Sequence, residues 1–503
     1  MVRLLLFVSA LMILFLLGYG DYNFLTFIFF LGLAVIPPLI FKYYKYPERS
    51  IFIYLLLWIT FPKYIRYLPI IGTYDLPGIN YFDIIQAIFT FHIVFLLFKS
   101  GYKNFSKFKI PKPVNKITLF FIITVMLTTI FGFIRYFYFV PKVSHIEIGN
   151  LVEYSFMPFT GVIFFLGLFA FINKYKHLEK IIYIFSLAGV LLLLEHLLLV
   201  QLDLFDALKF YAFSADQVRF NSLIYGSYDI KGLFCVLSVS SFFYLAFSKR
   251  KYYLLIFPLL LIFPIITTYQ RTSYIGYTVA IIVFFLIYFK QIKQFTRILI
   301  IMILILITTY ISFNQKSFTQ SLDNLITGNQ MVRQDSAADN QSFFDRVGLW
   351  YRAADLFIYS FPFGLGEGTY GVYSTQKSVP NYSTPLVIER AKNGYRAIST
   401  YKTAGTHNVY IQFISEYNIL GLLVLYFFIR QLLRYIRRRK IEETNKLNNI
   451  YRATIISMIC SLGIMSLFDS AIRLYFLYGL LMFFAYFISR VEDDSKIHID
   501  RNY

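Results

Sequence analysis

The stretch YYLLIFPLLLIFPIITTYQRTSYIGYTVAIIVFFLIY, residues 252–288, decides what kind of chain this is. Two apolar blocks, centred near residues 260 and 281, are separated by a short polar turn around Arg271. A hydrocarbon core of roughly 30 Å takes about 20 apolar helical residues to cross. The apolar residues come in blocks rather than at amphipathic spacing, so the pair reads as two membrane spans joined by almost no loop. Such blocks recur along the 503 residues, of which 58% are hydrophobic, 20% aromatic and only 15% charged. This is the composition of a polytopic membrane protein, not a soluble one. Fourteen spans can be drawn, centred near residues 11, 32, 56, 91, 125, 163, 189, 236, 260, 281, 305, 419, 459 and 480. The expected fold is an all-α polytopic membrane protein with about 14 transmembrane helices and a large, partly helical extracytoplasmic loop.

Short cytoplasmic loops collect Lys and Arg, and every second loop here does so. Lys42, Lys45 and Arg49 fall in one, the lysines from Lys99 to Lys116 in the next, then Lys174, Lys176 and Lys180, then Lys249, Arg250 and Lys251. Lys290, Lys293 and Arg297, and the run from Arg430 to Lys440, continue the alternation. Both termini are expected in the cytoplasm. The formal charge of +21 follows from these loops, so nucleic acid is not expected as a partner; the lipid bilayer is. Residues 1–20 resemble a signal peptide, with Arg3 before an apolar core, but the alternation counts them as a retained helix. Cys235 and Cys460 both fall inside predicted spans and show no metal spacing.

Residues 1–314 thus carry spans one to eleven, 315–406 form the large extracytoplasmic loop, 407–489 carry the last three spans, and 490–503 are a cytoplasmic tail. A ninety-residue polar segment is far longer than an ordinary connection, which points to function there. Within it, FFDRVGLWYRAADLFIYSFPFGLGEGTYG predicts an amphipathic helix from about 344 to 359, capped by Asp345 or Ser342 and broken by Pro362. The helix would rest on the outer leaflet or roof a cavity. No internal repeat is evident, which argues against transporters built from duplicated halves.

Charges near spans are costly and therefore informative. Arg271 lies on the outer side, where the positive-inside bias does not place it. It is either an interfacial Arg snorkelling to headgroups or a fixed cation facing an anionic ligand. His407 carries a ring that ordinarily titrates near about 6.5, suited to proton transfer at neutral pH. It is followed by Asn408, Gln412 and Glu416 at a spacing near four, so several of these polar residues share one face of an otherwise apolar helix. The turn GLGEG at Gly364, Gly366 and Gly368 follows no strand, so a dinucleotide reading fails and close backbone approach to a ligand or another helix is expected. Glu195 and His196 in LLLLEHLLLV, His92 in TFHIVF, and Glu153 read as packing or partner residues. The six histidines are scattered without metal-ligand spacing, so no metal and no cofactor are expected.

In this order the pieces resemble the O-antigen ligase and O-antigen polymerase superfamily of bacterial lipid-linked polysaccharide glycosyltransferases. The resemblance rests on the Arg-Thr-Ser turn at 271–273, RVGLW at 346–350, FPFGLGEGTYG at 361–371 and HNVYIQFISEYNILG at 407–421. Gln270 stands where the family commonly has Ser. The resemblance implies a multi-helix membrane fold whose outer loop roofs the site. It also implies a metal-independent, inverting transfer of glycan from undecaprenyl pyrophosphate to an acceptor hydroxyl. Arg271 and Arg346 would hold the pyrophosphate, and His407 would act as base on the acceptor or contact the leaving group. Asn408, Trp350, Gln412, Arg352 and Arg396 are assigned to substrate binding. Partners would be the undecaprenyl-pyrophosphate-linked oligosaccharide, a second lipid-linked repeat or a lipid A core as acceptor, and a chain-length regulator. Two fixed guanidiniums can stabilise the departing pyrophosphate without a metal, which agrees with that chemistry. Chain length and span number favour the polymerase over the ligase. A flippase for lipid-linked sugars would show charges along a central path in both halves, and a scaffold would not need His407.

Overall fold

A computed structural model of the protein describes residues 47–60, 69–71, 79–80, 89–95, 111–138, 145–172, 175–202, 222, 228–268, 270–288, 349–374, 406–437, 446–468 and 478–486. The helices are α1 (Pro47–Thr60), α2 (89–95), α3 (Lys112–Tyr138), α4 (His145–Phe171), α5 (Tyr175–His196) and α6 (Tyr228–Ser248). There follow α7 (Ile256–Leu260), α8 (Ile262–Ile266), α9 (Arg271–Tyr288), α10 (349–359), α11 (Tyr370–Ser374), α12 (Val409–Arg437), α13 (Lys446–Phe468) and α14 (478–486). Among the described residues, five helices are long and apolar enough to cross a membrane: Lys112–Arg135, His177–Gln201, Ile230–Ser248, Val409–Arg437 and Asn449–Leu467. Three shorter apolar stretches, Pro158–Phe171, Tyr252–Ile266 and Thr272–Tyr288, coincide with further expected spans. The expected spans near 11, 32 and 305 lie outside the described residues, as do the tail 490–503 and Glu153's side chain.

One departure from an all-helical chain lies in the short loop at 63–81. There Pro69–Ile71 pairs antiparallel with Ile79–Asn80, backbone groups of the two short strands satisfying one another. A second departure is in the stretch read as a span near 260. It is a 3-10 turn (Tyr252–Leu255) followed by the two short helices α7 and α8. Pro258 and Pro264 lack the amide that would continue each helical ladder, so the segment is broken into short pieces.

Helix α6 is the centre of the bundle, packed on α5, α9 and α13, while α9 and α13 make the most extensive pairing. These contacts are close because the residues are small. A Cβ on Gly189 of α5 would come within 2.7 Å of Ser238 Cβ on α6. Polar cross-links complete the seam: Ser240 and Ser457 hydroxyls meet at 2.8 Å, and Ser457 Oγ donates to the Ala280 carbonyl at 2.7 Å. Lipid supplies no hydrophobic force between helices, so close approach and interhelical hydrogen bonds carry the association. Further Ser and Thr hydroxyls, such as Thr118, Ser186, Ser241 and Ser461, donate to the carbonyl four residues back and so cost nothing in an apolar medium.

The bundle is turned outward to lipid on its periphery. Leu119, Ile123, Met126 and Ile130 form an exposed stripe on α3 at helical spacing, and Leu422, Leu423, Tyr426, Phe427 and Leu433 form another on α12. Such stripes would drive aggregation in water and are the natural surface in a bilayer. At the end carrying the basic loops, Lys249 Nζ and Glu179 Oε1 pair at 2.6 Å between α5 and the residue after α6. That carboxylate, by accepting the bond, raises the Lys249 ammonium above the ordinary lysine value.

Candidate functional site

The site grows from the glycine turn and the helix it packs against. Helix α10 ends at residue 359, and Gly364, Gly366 and Gly368 then take φ values of 84°, 99° and 75°. Only glycine adopts such angles without strain, and the conformation aims the turn's amides to one side. They meet Glu416 of α12, which is fully buried. Leu365 and Gly366 amides donate to its main-chain carbonyl at 2.8 and 3.1 Å. Gly368 and Tyr370 amides donate to its carboxylate at 3.1 and 3.2 Å, as does Gln412 Nε2 at 3.1 Å. The expected close backbone approach is therefore to another helix.

Glu416's carbonyl is available because the helix breaks two residues later. Asn418 sits at φ 54° and ψ −138°, inside what is otherwise a continuous membrane-length helix. Within an unbroken helix the Glu416 carbonyl would be taken by the amide four residues on. Asn418 holds the break open: its Oδ1 accepts from the Ile419 amide at 2.8 Å, and its Nδ2 donates to the Phe357 carbonyl at 2.6 Å and to Ser360 Oγ at 3.0 Å. Asn418 thereby satisfies a carbonyl at the end of α10, one of the groups every helix terminus leaves open. Tyr370 OH donates to the Leu349 carbonyl at 2.7 Å, and burial pushes its phenol far above the ordinary range. Ala353, Leu356, Leu365, Tyr370 and Tyr373 close a small core beneath the turn.

This unit carries His407. Trp350 Nε1 donates to the Thr406 carbonyl at 2.9 Å, tying α10 to the residue before the histidine. Thr406 Oγ1 donates to the Asn408 carbonyl at 2.6 Å, and the Thr406 amide donates to Gln412 Oε1 at 3.3 Å. Asn408 Oδ1 accepts from the Ile411 amide at 3.0 Å, the pattern of an N-cap. Between these anchors His407 is half-buried with φ 53°. A histidine in the left-handed region costs of order 1 kcal/mol or more, which persists where the surroundings over-determine it and marks functional positions. It stands at the positive end of the α12 dipole, where negative charge is favoured.

Of the other expected site residues, Trp350, Asn408 and Gln412 are thus gathered around His407, with the hydrogen bonds above directed to protein groups. Arg352 is buried on α10, its Nε donating to the Ser374 carbonyl at 3.0 Å and its guanidinium 3.5 Å from Asp355. Arg271 opens α9, and its side chain lies outside the described residues, as do Arg346 and Arg396 entirely. The turn before Arg271 is well fixed: Thr268 Oγ1 accepts from the Gln270 amide at 3.2 Å, and Ser273 Oγ donates to Gln270 Oε1 at 2.6 Å. His92 is buried in α2.

Arg135 and Asn418 escaped the sequence reading. Arg135, in the last turn of α3, lies with its guanidinium carbon 5.0 Å from the Tyr359 ring centre and reaches the Gly364 carbonyl at 3.5 Å. The signal that singled out Arg271, an arginine at the end of a span away from the basic loops, applies equally to it. The Asn418 break had no such signal, because an asparagine in a helical pattern is unremarkable until its partner carbonyl is known.

Residues 255–426, which include the Arg271 turn, the glycine turn, His407 and the Glu416 clamp, match the family model described as O-antigen ligase. No curated protein matches the chain significantly. The chain thus carries, among helices long and apolar enough to cross a membrane, a segment that resembles the O-antigen ligase family.

Proposed function

We propose that the protein transfers a glycan from undecaprenyl pyrophosphate to an acceptor sugar hydroxyl, with inversion and without a metal, during synthesis of O-antigen, capsule or exopolysaccharide. The observation that carries this reading is His407, held half-buried on a left-handed backbone at the rim of a membrane-length helix within the O-antigen ligase domain. In this mechanism the acceptor oxygen attacks the anomeric carbon and the bond to the pyrophosphate breaks. His407 takes the acceptor's proton, an assistance worth about 10² to 10⁴ in rate, or else contacts the leaving group. Arg271 and Arg346 hold the pyrophosphate as its negative charge grows. Trp350, Asn408 and Gln412 fix the wall on which the glycan rests; Arg352 holds α10 to the segment after the glycine turn, and Arg396 is assigned to substrate binding. The site opens to the extracytoplasmic face of the bacterial inner membrane, with both termini in the cytoplasm.

Repeat-unit polymerisation is the preferred form, with a second lipid-linked repeat as acceptor and a chain-length regulator as partner. Ligation onto a lipid A core is the alternative. Reconstitution with a lipid-linked repeat, with and without a lipid A core, separates them. Ladders from donor alone support polymerase, and one transfer per core supports ligase. Movement of donor across the bilayer with no product in either case would overturn the transferase reading.

A further inference from the structure

Lys231, one turn into α6, is fully buried. It lies at the end of α6 opposite Lys249, Arg250 and Lys251, where the positive-inside bias does not place a cation. An ammonium in such surroundings persists only when paired. Its Nζ donates to Thr267 Oγ1 at 3.1 Å, and Glu195 of α5 is the nearby carboxylate acting on it. Glu195 is buried too and accepts from Ser222 Oγ at 2.7 Å. Directly after Glu195 and His196 the helix widens into a π turn, Leu197–Gln201, with Leu202 N bonded to the Leu197 carbonyl at 2.9 Å. Isolated π turns of this kind concentrate at functional sites.

The network ends on the turn that presents Arg271. Thr267 is four residues before Arg271, and its hydroxyl is also bonded to the Pro264 carbonyl at 3.0 Å. On the other side, Gly232 is pressed so closely against Ser273 that an added Cβ would collide with the Ser273 hydroxyl and approach Gln270 Oε1 to 3.2 Å. Lys231 and Gly232 therefore grip the turn 267–273 from neighbouring positions of α6.

We propose that Lys231 is a positioning residue for Arg271: its buried ammonium holds the Thr267 hydroxyl and so fixes the turn from which Arg271 faces the phosphorylated carrier. This rests on the reading in which Arg271 holds pyrophosphate. The test uses the full chain in nanodiscs, titrated with undecaprenyl pyrophosphate, comparing the natural protein with K231M, R271Q and the double variant. Each single variant is expected to weaken binding about tenfold, with the double no weaker than R271Q alone, because one residue acts through the other. Losses that multiply to about a hundredfold would show Lys231 meeting the ligand independently, and K231M binding like the natural protein would make Lys231 only a fold stabiliser; both overturn the proposal. A second readout does not depend on ligand. In R271C, the rate of labelling by a membrane-impermeant maleimide is expected to change at least about fivefold when K231M is added. An unchanged rate overturns the proposal. If R271Q binds normally while that labelling rate changes, the pyrophosphate assignment of Arg271 fails and the positioning of its turn by Lys231 stands.

Discussion

Replacing Glu416 by alanine tests the clamp at its centre. The carboxylate is fully buried and accepts from Gly368 N, Tyr370 N and Gln412 Nε2. Removing it strands two buried donors, each costing about 1 to 3 kcal/mol, and the part-buried Gly368 amide. Partial relaxation and shared partners make the sum less than additive, so the expected loss is about 3 to 5 kcal/mol. The loss is local, because Leu365 and Gly366 amides bond to the main-chain carbonyl of residue 416, which alanine keeps. Hydrogen exchange reads this directly. In E416A the amides of Gly368 and Tyr370 are expected to exchange at least about a hundredfold faster, at about 1.4 kcal/mol per decade, while those of Leu365 and Gly366 change far less. Glycan transfer should fall with it, since the same clamp holds the turn beside the helix that His407 precedes. E416Q keeps the shape and one acceptor but presents an amide to donors, and should lie between. Equal protection of Gly368 and Tyr370 in E416A and the natural protein would refute the clamp as the origin of the turn's order.

Four further outcomes follow from the same geometry. G364A should destabilise by about 2 kcal/mol or more and lower activity, since φ is 84° and the new Cβ would strike the Glu416 carbonyl. G463A, whose added Cβ would find nothing nearer than Tyr410 OH at 3.7 Å, should be neutral or up to about 1 kcal/mol more stable in a thermal melt. H407G should relieve about 1 kcal/mol of left-handed strain and hold or raise the melting temperature while abolishing transfer; a lower melting temperature would mean the imidazole is chiefly structural. W350F removes the bond to the Thr406 carbonyl, worth about 1 kcal/mol, and should lower kcat more than it raises KM in steady-state transfer assays.

The helices that could be read in advance were those whose apolar run was its own signal. The stretches around 125, 189, 236 and 459 needed only length and hydropathy, because a bilayer forces each backbone to satisfy itself locally. The stretch near 260 was apolar enough but carries Pro258 and Pro264, and a hydropathy pattern does not weigh missing amides. At the site, His407 and the glycine turn stood out as residue types out of place in their surroundings.

By itself the sequence determined that the chain is rich in membrane-length apolar segments and which motifs make its segment 255–426 resemble the O-antigen ligase family, because both depend on composition and short-range spacing. Only the tertiary structure decided what those motifs touch. That Glu416 receives the glycine turn, that Asn418 breaks α12 to expose the carbonyl it needs, and that Lys231 lies against the Arg271 turn are pairings across 36 to 61 residues. Such contacts arise from how helices pack, and no local pattern in either partner encodes the other.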